Sequence, residues 1–277
     1  MTSAGRDVSW ASGTAYDLYM GRWSRLVAVQ FVRWLEVPPG ARWLDAGCGT
    51  GALAAEVLRA GGPAALVGVD SSAEQIALAR RAVVDRRVRF EVGDIEAPPI
   101  PEASADATVS GLVLNFLPDP AASLARMAAL CRPGGVVAGY VWDYSGDMGM
   151  LRTFWDAAVA LDPGAAELDE GRRFPGCHPG ALAATFRSAG LIAVETRPIQ
   201  IAMSFPRFDD YWRPFLGGQG PAPGYVASLD DRGRRRLRDR LERELTGSGA
   251  GGIRLSARAW ASRGRPTLHA DVSAGSP

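Results

Sequence analysis

Short apolar bursts ending in Asp or Gly alternate along the first half of the chain with segments whose apolar residues recur at helical spacing. ARWLDAG (41–47) is the first burst. GALAAEVLRAGG follows it, with Leu53, Val57 and Leu58 on one helical face and a glycine stop at Gly61. ALVGVD (65–70) predicts a second buried strand, and Ser72 with Gln75 has the spacing of a capping box opening the helix AEQIALARRAVV. VRFEVGD (88–94), ATVSGLVLN (107–115) and GGVVAGYVWDY (134–144) predict three further strands, and AASLARMAALC predicts a helix after the Pro118–Pro120 turn. Near-continuous apolar strands separated by helices specify a mostly parallel sheet covered on both faces. Right-handed crossovers wind it into a doubly wound α/β sandwich.

After Tyr144 the rhythm changes. A mixed helical and loop excursion covers 145–178, PGALAATFRSAGL restores a helix, and IAVETRPI (192–199) is a strand. A second excursion, rich in aromatic residues, Gly and Pro, begins near 203 and ends at 248 with a strongly charged helix over 229–245. IRLSARAWASRG (253–264) alternates as an antiparallel edge strand does. At about 150 residues per domain the length allows one elaborated domain or two small ones. Both excursions are short for independent domains, so the expectation is one domain over 1–277, with 145–178 and 203–248 as cap insertions. The first nine residues and the tail 265–277 read as loose ends.

Composition then narrows the class. With 47% hydrophobic and 22% charged residues the chain can fill a sizeable core. Thirty-one basic against thirty acidic residues give a formal charge of +1, which supplies no global field for a polyanion or a charged membrane. No nucleic-acid or membrane partner is expected. The seven arginines between Arg232 and Arg243 are interleaved with acids in pairs such as Asp239 with Arg243 and Arg240 with Glu244, the mark of a solvated helix face. No apolar run is long enough to span a bilayer and no leader-like start is present, so the expected location is cytoplasmic. Three scattered cysteines without a CxxC, and two histidines, give neither a disulfide framework nor a metal site. Cys48, Cys131 and Cys177 read as packing residues.

The strongest chemical signal is LDAGCGTG, Leu44 to Gly51, at the end of the first predicted strand. Glycines at 47, 49 and 51 permit positive φ and leave no Cβ between backbone and ligand. Gly47, Gly49 and Ala52 also satisfy the looser dinucleotide pattern GxGxx[G/A], so the following acids must decide. Asp70 ends the second strand, where a carboxylate can accept both ribose hydroxyls of an adenosine. Asp45 directly precedes the turn, where it would crowd a pyrophosphate but suits a ligand carrying an amine. Asp94 ends the third strand, within reach of an adenine amino group. Together the acids favour a cationic amino-acid nucleoside over a nicotinamide dinucleotide.

With these motifs the sequence resembles the class I S-adenosylmethionine-dependent methyltransferases, in particular the small-molecule branch that includes the ubiquinone and menaquinone biosynthesis enzymes. LDAGCGTG, VGVDSS, GDIEAPP, LVLNFLPDP and LCRPGGVV carry the resemblance, which is specific over about 40–140. It implies a Rossmann-like seven-stranded sheet whose last strand is antiparallel, and S-adenosyl-L-methionine as cofactor. It further implies that the backbone around Gly47 and Gly49 cradles the methionine part, that Asp70 holds the ribose, that Asp94 with Ile95 frames adenine, and that Gly51 and Ser71 are further cofactor-binding residues. Asn115 stands where the family's fourth strand commonly ends in His, which puts histidine-based proton transfer there in doubt. The cofactor half is then 40–144, and the segment 10–35 is the part that closes over the cofactor in related enzymes, with Tyr19 and Trp23 shielding its methionine end.

Methyl transfer from a sulfonium needs an in-line nucleophile, excluded water and close reactants, so proximity and orientation supply much of the rate. Where the acceptor must lose a proton, Asp143, His178 and Tyr211 are the candidate catalytic residues. Trp142, Phe154, Trp155, Phe205, Phe208, Tyr211, Trp212 and Phe215 can line an apolar or aromatic small-molecule site, and equally a packed cap. The alternatives are an RNA or protein methyltransferase, a nicotinamide oxidoreductase and a non-catalytic adenosyl-binding protein. Monomer and homodimer are both open.

Overall fold

The computed structural model describes residues 17–98, 100–217, 220–247 and 252–267. The loose-end readings for residues 1–9 and 268–277, and the part of the covering segment at 10–16, lie outside the described residues. A π-helical turn at Asp17–Gly21 leads into α1 (Arg22–Leu35). Then follow β1 (Arg42–Ala46), α2 (Ala52–Glu56, continued by a turn to Gly61), β2 (Ala65–Asp70), α3 (Ala73–Ala82), β3 (Val88–Val92), β4 (Ala105–Gly111), α4 (Pro120–Leu130) and β5 (Cys131–Trp142). The remainder comprises α5 (Gly149–Leu161), α6 (Glu170–Arg173), α7 (Pro179–Ser188), β6 (Ile192–Phe205), α8 (Phe208–Trp212), α9 (Pro221–Ser228), α10 (Asp231–Thr246) and β7 (Ile253–Arg265).

Seven strands hydrogen-bond in the order β3-β2-β1-β4-β5-β7-β6. The β3/β2, β2/β1, β1/β4 and β4/β5 pairs are parallel. The last strand runs antiparallel, as the Met148–Ala257 bridge and the Asp143 N–H donating to Arg258 O at 2.9 Å show. This is the mostly parallel sheet that the apolar bursts specify, in the Rossmann-like seven-stranded arrangement that the resemblance implies.

Local chemistry sets most boundaries. Asp119 caps α4 through the amides of Ala121 and Ala122, with Pro120 at the first helical position, where its missing N–H costs nothing. Ser72 Oγ accepts from Gln75 N–H at 3.3 Å, but the Ser72 amide donates to Asp70 Oδ1 rather than to Gln75. The capping box is therefore half formed.

Three expectations are corrected. The fourth strand stops at Gly111, because Leu112 turns left-handed (φ 62°) and Leu114–Phe116 forms a 3-10 turn. Asn115 thus sits in that turn and not on the strand. The sixth strand continues through Pro198 to Phe205, past the expected start of the second insertion at 203. It can do so because it is the edge strand, where proline removes no ladder bond. The seventh strand is accordingly interior, with Ala257, Ala259 and Ala261 buried.

The described residues divide into two compact units. The first takes the described residues of 1–28, 142–178 and 198–260. Its core is aromatic: Phe154 stacks on Phe215 at 4.4 Å, and Tyr211 lies 5.4 Å from Phe205. The second takes those of 29–141, 179–197 and 261–277. Its core is aliphatic, with Leu44, Val69, Ala105 and Leu130 buried together. The excursions therefore bring enough apolar side chains for a core of their own.

Candidate cofactor site and acceptor residues

In the second unit, the chain leaving β1 folds back on β2. The amides of Gly47 and Cys48 both donate to Val69 O, at 2.8 and 3.0 Å. Gly47, Gly49 and Gly51 have φ of 76°, 52° and 86°, a run that side-chain-bearing residues adopt only under strain. A Cβ at Gly47 would lie 2.7 Å from Val113 Cγ2, so the turn after β4 packs directly on this loop. A Cβ at Gly49 would meet nothing within 4 Å, so there the backbone borders open space.

Asp70, at the end of β2, ties the loop to the next helix. Its Oδ2 accepts from the Gly49 amide and its Oδ1 from the Ser72 amide, each at 2.9 Å. Each carboxylate oxygen keeps a lone pair for a ligand hydroxyl. Ser71 beside it is exposed, as is Asp94, whose Oδ1 accepts from the Glu96 amide at 2.9 Å, while Ile95 is buried.

Two groups at this loop are orphaned. Asp45, 0% exposed, has neither oxygen in a protein hydrogen bond, although the Ala54 amide gives its charge some relief. Burial, reinforced by the charge of Asp70, pushes its carboxyl up to about 7. Both polar atoms of the Asn115 amide are likewise buried without a partner. A ligand carrying an ammonium group fits this loop: open space at Gly49, an unpaired carboxyl at Asp45 and a rigidly held Asp70. A pyrophosphate on this loop would instead bring negative charge against the buried Asp45 carboxyl, which disfavours a dinucleotide.

The remaining sequence-derived residues belong to the first unit. The Tyr19 hydroxyl is buried and unpartnered; burial and then the charge of Glu170 raise its pKa. Trp23 packs edge-on against Phe205 at 5.3 Å, beneath the Arg22 guanidinium at 4.1 Å. Tyr211 is buried and its hydroxyl donates to Met150 O at 2.9 Å. Asp143 is buried and fully engaged, accepting from Arg258 Nε at 2.8 Å, Arg258 Nη2 at 2.6 Å and the Gly146 amide at 3.0 Å. His178 is exposed beside the buried Cys177.

Burial pushes the thiols of Cys131 and Cys177 up to about 12 and that of Cys48 higher still, which suits packing and not nucleophilic attack. On α10, Arg240 pairs with Glu244 at 2.8 Å and Arg238 with Glu242 at 2.9 Å. No described helix is long and apolar enough to cross a membrane.

One residue of the first unit escaped the sequence reading. Glu170 is buried with its carboxyl accepting from the Trp155 indole N–H, and burial pushes it up to about 7. ELDEGRR reads as a charged surface turn, and no local signal marks which of its acids turns inward.

Comparison with known proteins bears on the loop. The family described as methyltransferase domain matches residues 44–139. The ubiquinone/menaquinone biosynthesis C-methyltransferase UbiE of Methylobacterium nodulans is 30% identical over 172 residues, covering 56% of this chain and 68% of that protein. UbiE of Geobacter sulfurreducens is 35% identical over 119 residues, 41% of this chain and 45% of that protein. The chain spans less than half the length of the Geobacter protein and of three further curated relatives. Haemonchus contortus phosphoethanolamine N-methyltransferase 2, solved with S-adenosyl-L-methionine, shares the fold with a TM-score of 0.56 at 17% identity, over 92% of this chain and 57% of that one.

Proposed function

We propose that this chain, which belongs to the class I S-adenosylmethionine-dependent methyltransferases, transfers a methyl group to a small apolar or aromatic acceptor. The observation that carries the cofactor assignment is the buried, unpaired carboxyl of Asp45 beside the open backbone of Gly49. When bound, S-adenosylmethionine supplies an electrophilic methyl group on a positively charged sulfur.

The residues of the second unit hold it. Asp70 accepts from the ribose hydroxyls while the Gly49 and Ser72 amides fix its carboxylate. Asp45 answers the ammonium group, which restores the charged form of a carboxyl that burial otherwise disfavours. Ile95 covers the adenine, Asp94 accepts from its amino group, and Asn115 offers a donor and an acceptor from the turn after β4. Asp143 organises the turn at 143–147, since its carboxylate is already committed to Arg258 and backbone amides.

Three observations support a small acceptor: the aromatic interior of the first unit, the near-neutral charge, and the ion-paired arginines of α10. The likeness to ubiquinone/menaquinone C-methyltransferases covers 41% and 56% of this chain and leaves the acceptor atom open to oxygen, nitrogen or carbon. The test is transfer of tritiated methyl from S-adenosylmethionine to a panel of phenols, naphthols and polyketide-like enols, beside bulk RNA and basic peptides. Label in the small molecules is expected; label in RNA or peptide alone would overturn the reading.

A further inference from the structure

A cavity of about 240 Å³ lies in the second unit, at the end of the sheet away from the glycine loop. Gly40 and Ala41 lead into β1 there, Asp106 lies at the start of β4, and Gly134 to Val136 lie near the start of β5. Arg265 closes β7, whose antiparallel course brings its end beside those starts. The five residues of β1, at about 3.3 Å each, hold this cavity and the cofactor loop roughly 15–20 Å apart. Gly40 (φ 82°) and Gly134 (φ 77°) both line it in left-handed conformations, and a Cβ on either would meet nothing within 4 Å. On two sides, then, the backbone borders open space.

The polar part of the lining is rich in donors that its acceptors do not exhaust. Asp106, with its side chain 17% exposed, accepts from the Arg42 amide at 2.6 Å and from Arg132 Nε, and Arg42 Nε lies 3.6 Å away. Arg132 uses only Nε in that pair, so both of its terminal amino groups lack a partner among the described residues. Arg265 Nη1 donates to Gly134 O at 2.7 Å, and no carboxylate of the described residues pairs with it. Glu36, the second acid of the lining, points largely into solvent and lies 3.8 Å from Arg263 Nη1. Three guanidinium groups are thus set against one fixed carboxylate at this end of the sheet, and two of them line the cavity with donors to spare. The rest of the lining is largely apolar, from Leu35, Val37, Pro38, Pro39 and Val136.

We propose that this cavity binds a small organic anion, a carboxylate or phosphate group on a short apolar body, at a site separate from the cofactor's. The planar guanidinium fork matches either oxyanion, and an anion answers the donors that Arg132 and Arg265 leave unused. A neutral polar molecule would leave their charge unanswered, and a cation would be repelled by it. The volume is below the roughly 300–1,000 Å³ of drug-sized sites, so the apolar body is no larger than a single ring. Nothing in this cavity depends on which cofactor the glycine loop takes.

The probes are benzoate, phenyl phosphate and benzyl alcohol, titrated against the full chain by ligand-observed NMR with and without saturating S-adenosylhomocysteine. At least one of the two anions is expected to bind tenfold or more tightly than the alcohol, and the tighter of them names the head group. Arg132→Gln and Arg265→Gln, both at exposed residues, are each expected to weaken that binding at least fivefold, while S-adenosylhomocysteine leaves it unchanged. Circular dichroism checks that the variants are folded, and should one of them fail to fold, the other decides. A smaller preference over the alcohol, a smaller loss in a folded arginine variant, or displacement of the anion by S-adenosylhomocysteine overturns the proposal. Failure of S-adenosylhomocysteine to bind would instead remove the methyltransferase reading, while the arginine variants still decide the anion site.

Discussion

Two glycine-to-alanine substitutions at opposite ends of β1 separate the fold's need for glycine from the cofactor's. Gly40 precedes the strand with φ 82° and Gly49 follows it with φ 52°; an added Cβ at either position meets nothing within 4 Å. Each alanine therefore carries only the left-handed backbone cost of roughly 1–2 kcal/mol. At about 2–4 °C per kcal/mol for a chain of this size, either variant should lower the cofactor-free Tm by roughly 2–8 °C. Their effects on binding should differ sharply. The Gly49 Cβ would project into the space assigned to the methionine part, and an overpacking penalty of about 1–3 kcal/mol weakens affinity roughly 5- to 150-fold. Gly40→Ala should bind S-adenosylmethionine as the native protein does. Thermal melts and calorimetric titration of all three proteins measure both quantities. Affinity of Gly49→Ala within twofold of native, or an equal loss in Gly40→Ala, would refute the placement of the ligand against this loop.

Other substitutions test the electrostatics. Asp45 and Glu170 are both held up to about 7, against unfolded values of about 4, so the folded state retains protons that the unfolded state has lost. Cofactor-free stability should therefore fall as pH rises from about 4 to 7 and then level off, and Asp45→Asn should flatten part of that slope in urea melts while weakening cofactor binding. Arg258→Ala leaves the Asp143 carboxylate, 5% exposed, with backbone donors alone, and should cost about 3 kcal/mol in urea unfolding, at the low end for breaking a buried pair. Asn115→Leu removes two unpartnered buried polar atoms, so the cofactor-free protein should be as stable as native or more so, with ligand affinity reduced; a loss above about 1 kcal/mol would show that the amide serves the fold.

What the sequence could disclose was whatever local periodicity controls. ALVGVD was read as the strand that β2 forms, and the acid at its end falls where the carboxylate ties Gly49 to Ser72. Boundaries set by one dihedral or one neighbour were hidden. Nothing in GLVLN signals the left-handed Leu112 that ends β4, because its apolar run continues past the turn. The sequence reading ends the sixth strand at Ile199, and the edge position of β6 permits it to continue past Pro198 to Phe205. The side chains of the first unit were least legible. Asp143 was read as a candidate base, but its partner Arg258 lies 115 residues along the chain. Glu170 is one acid among several in a polar stretch, and only tertiary packing against Trp155 buries it.

The central claim is that the β1–β2 loop holds an adenosyl amino-acid cofactor, and parallel calorimetric titrations of the native chain and Asp70→Ala with S-adenosylmethionine and NAD test it most directly. The account predicts one site for S-adenosylmethionine on the native chain, weaker or undetectable binding of NAD, and an affinity for S-adenosylmethionine reduced at least tenfold in Asp70→Ala. Tighter binding of NAD, or S-adenosylmethionine binding that Asp70→Ala leaves unchanged, would contradict it.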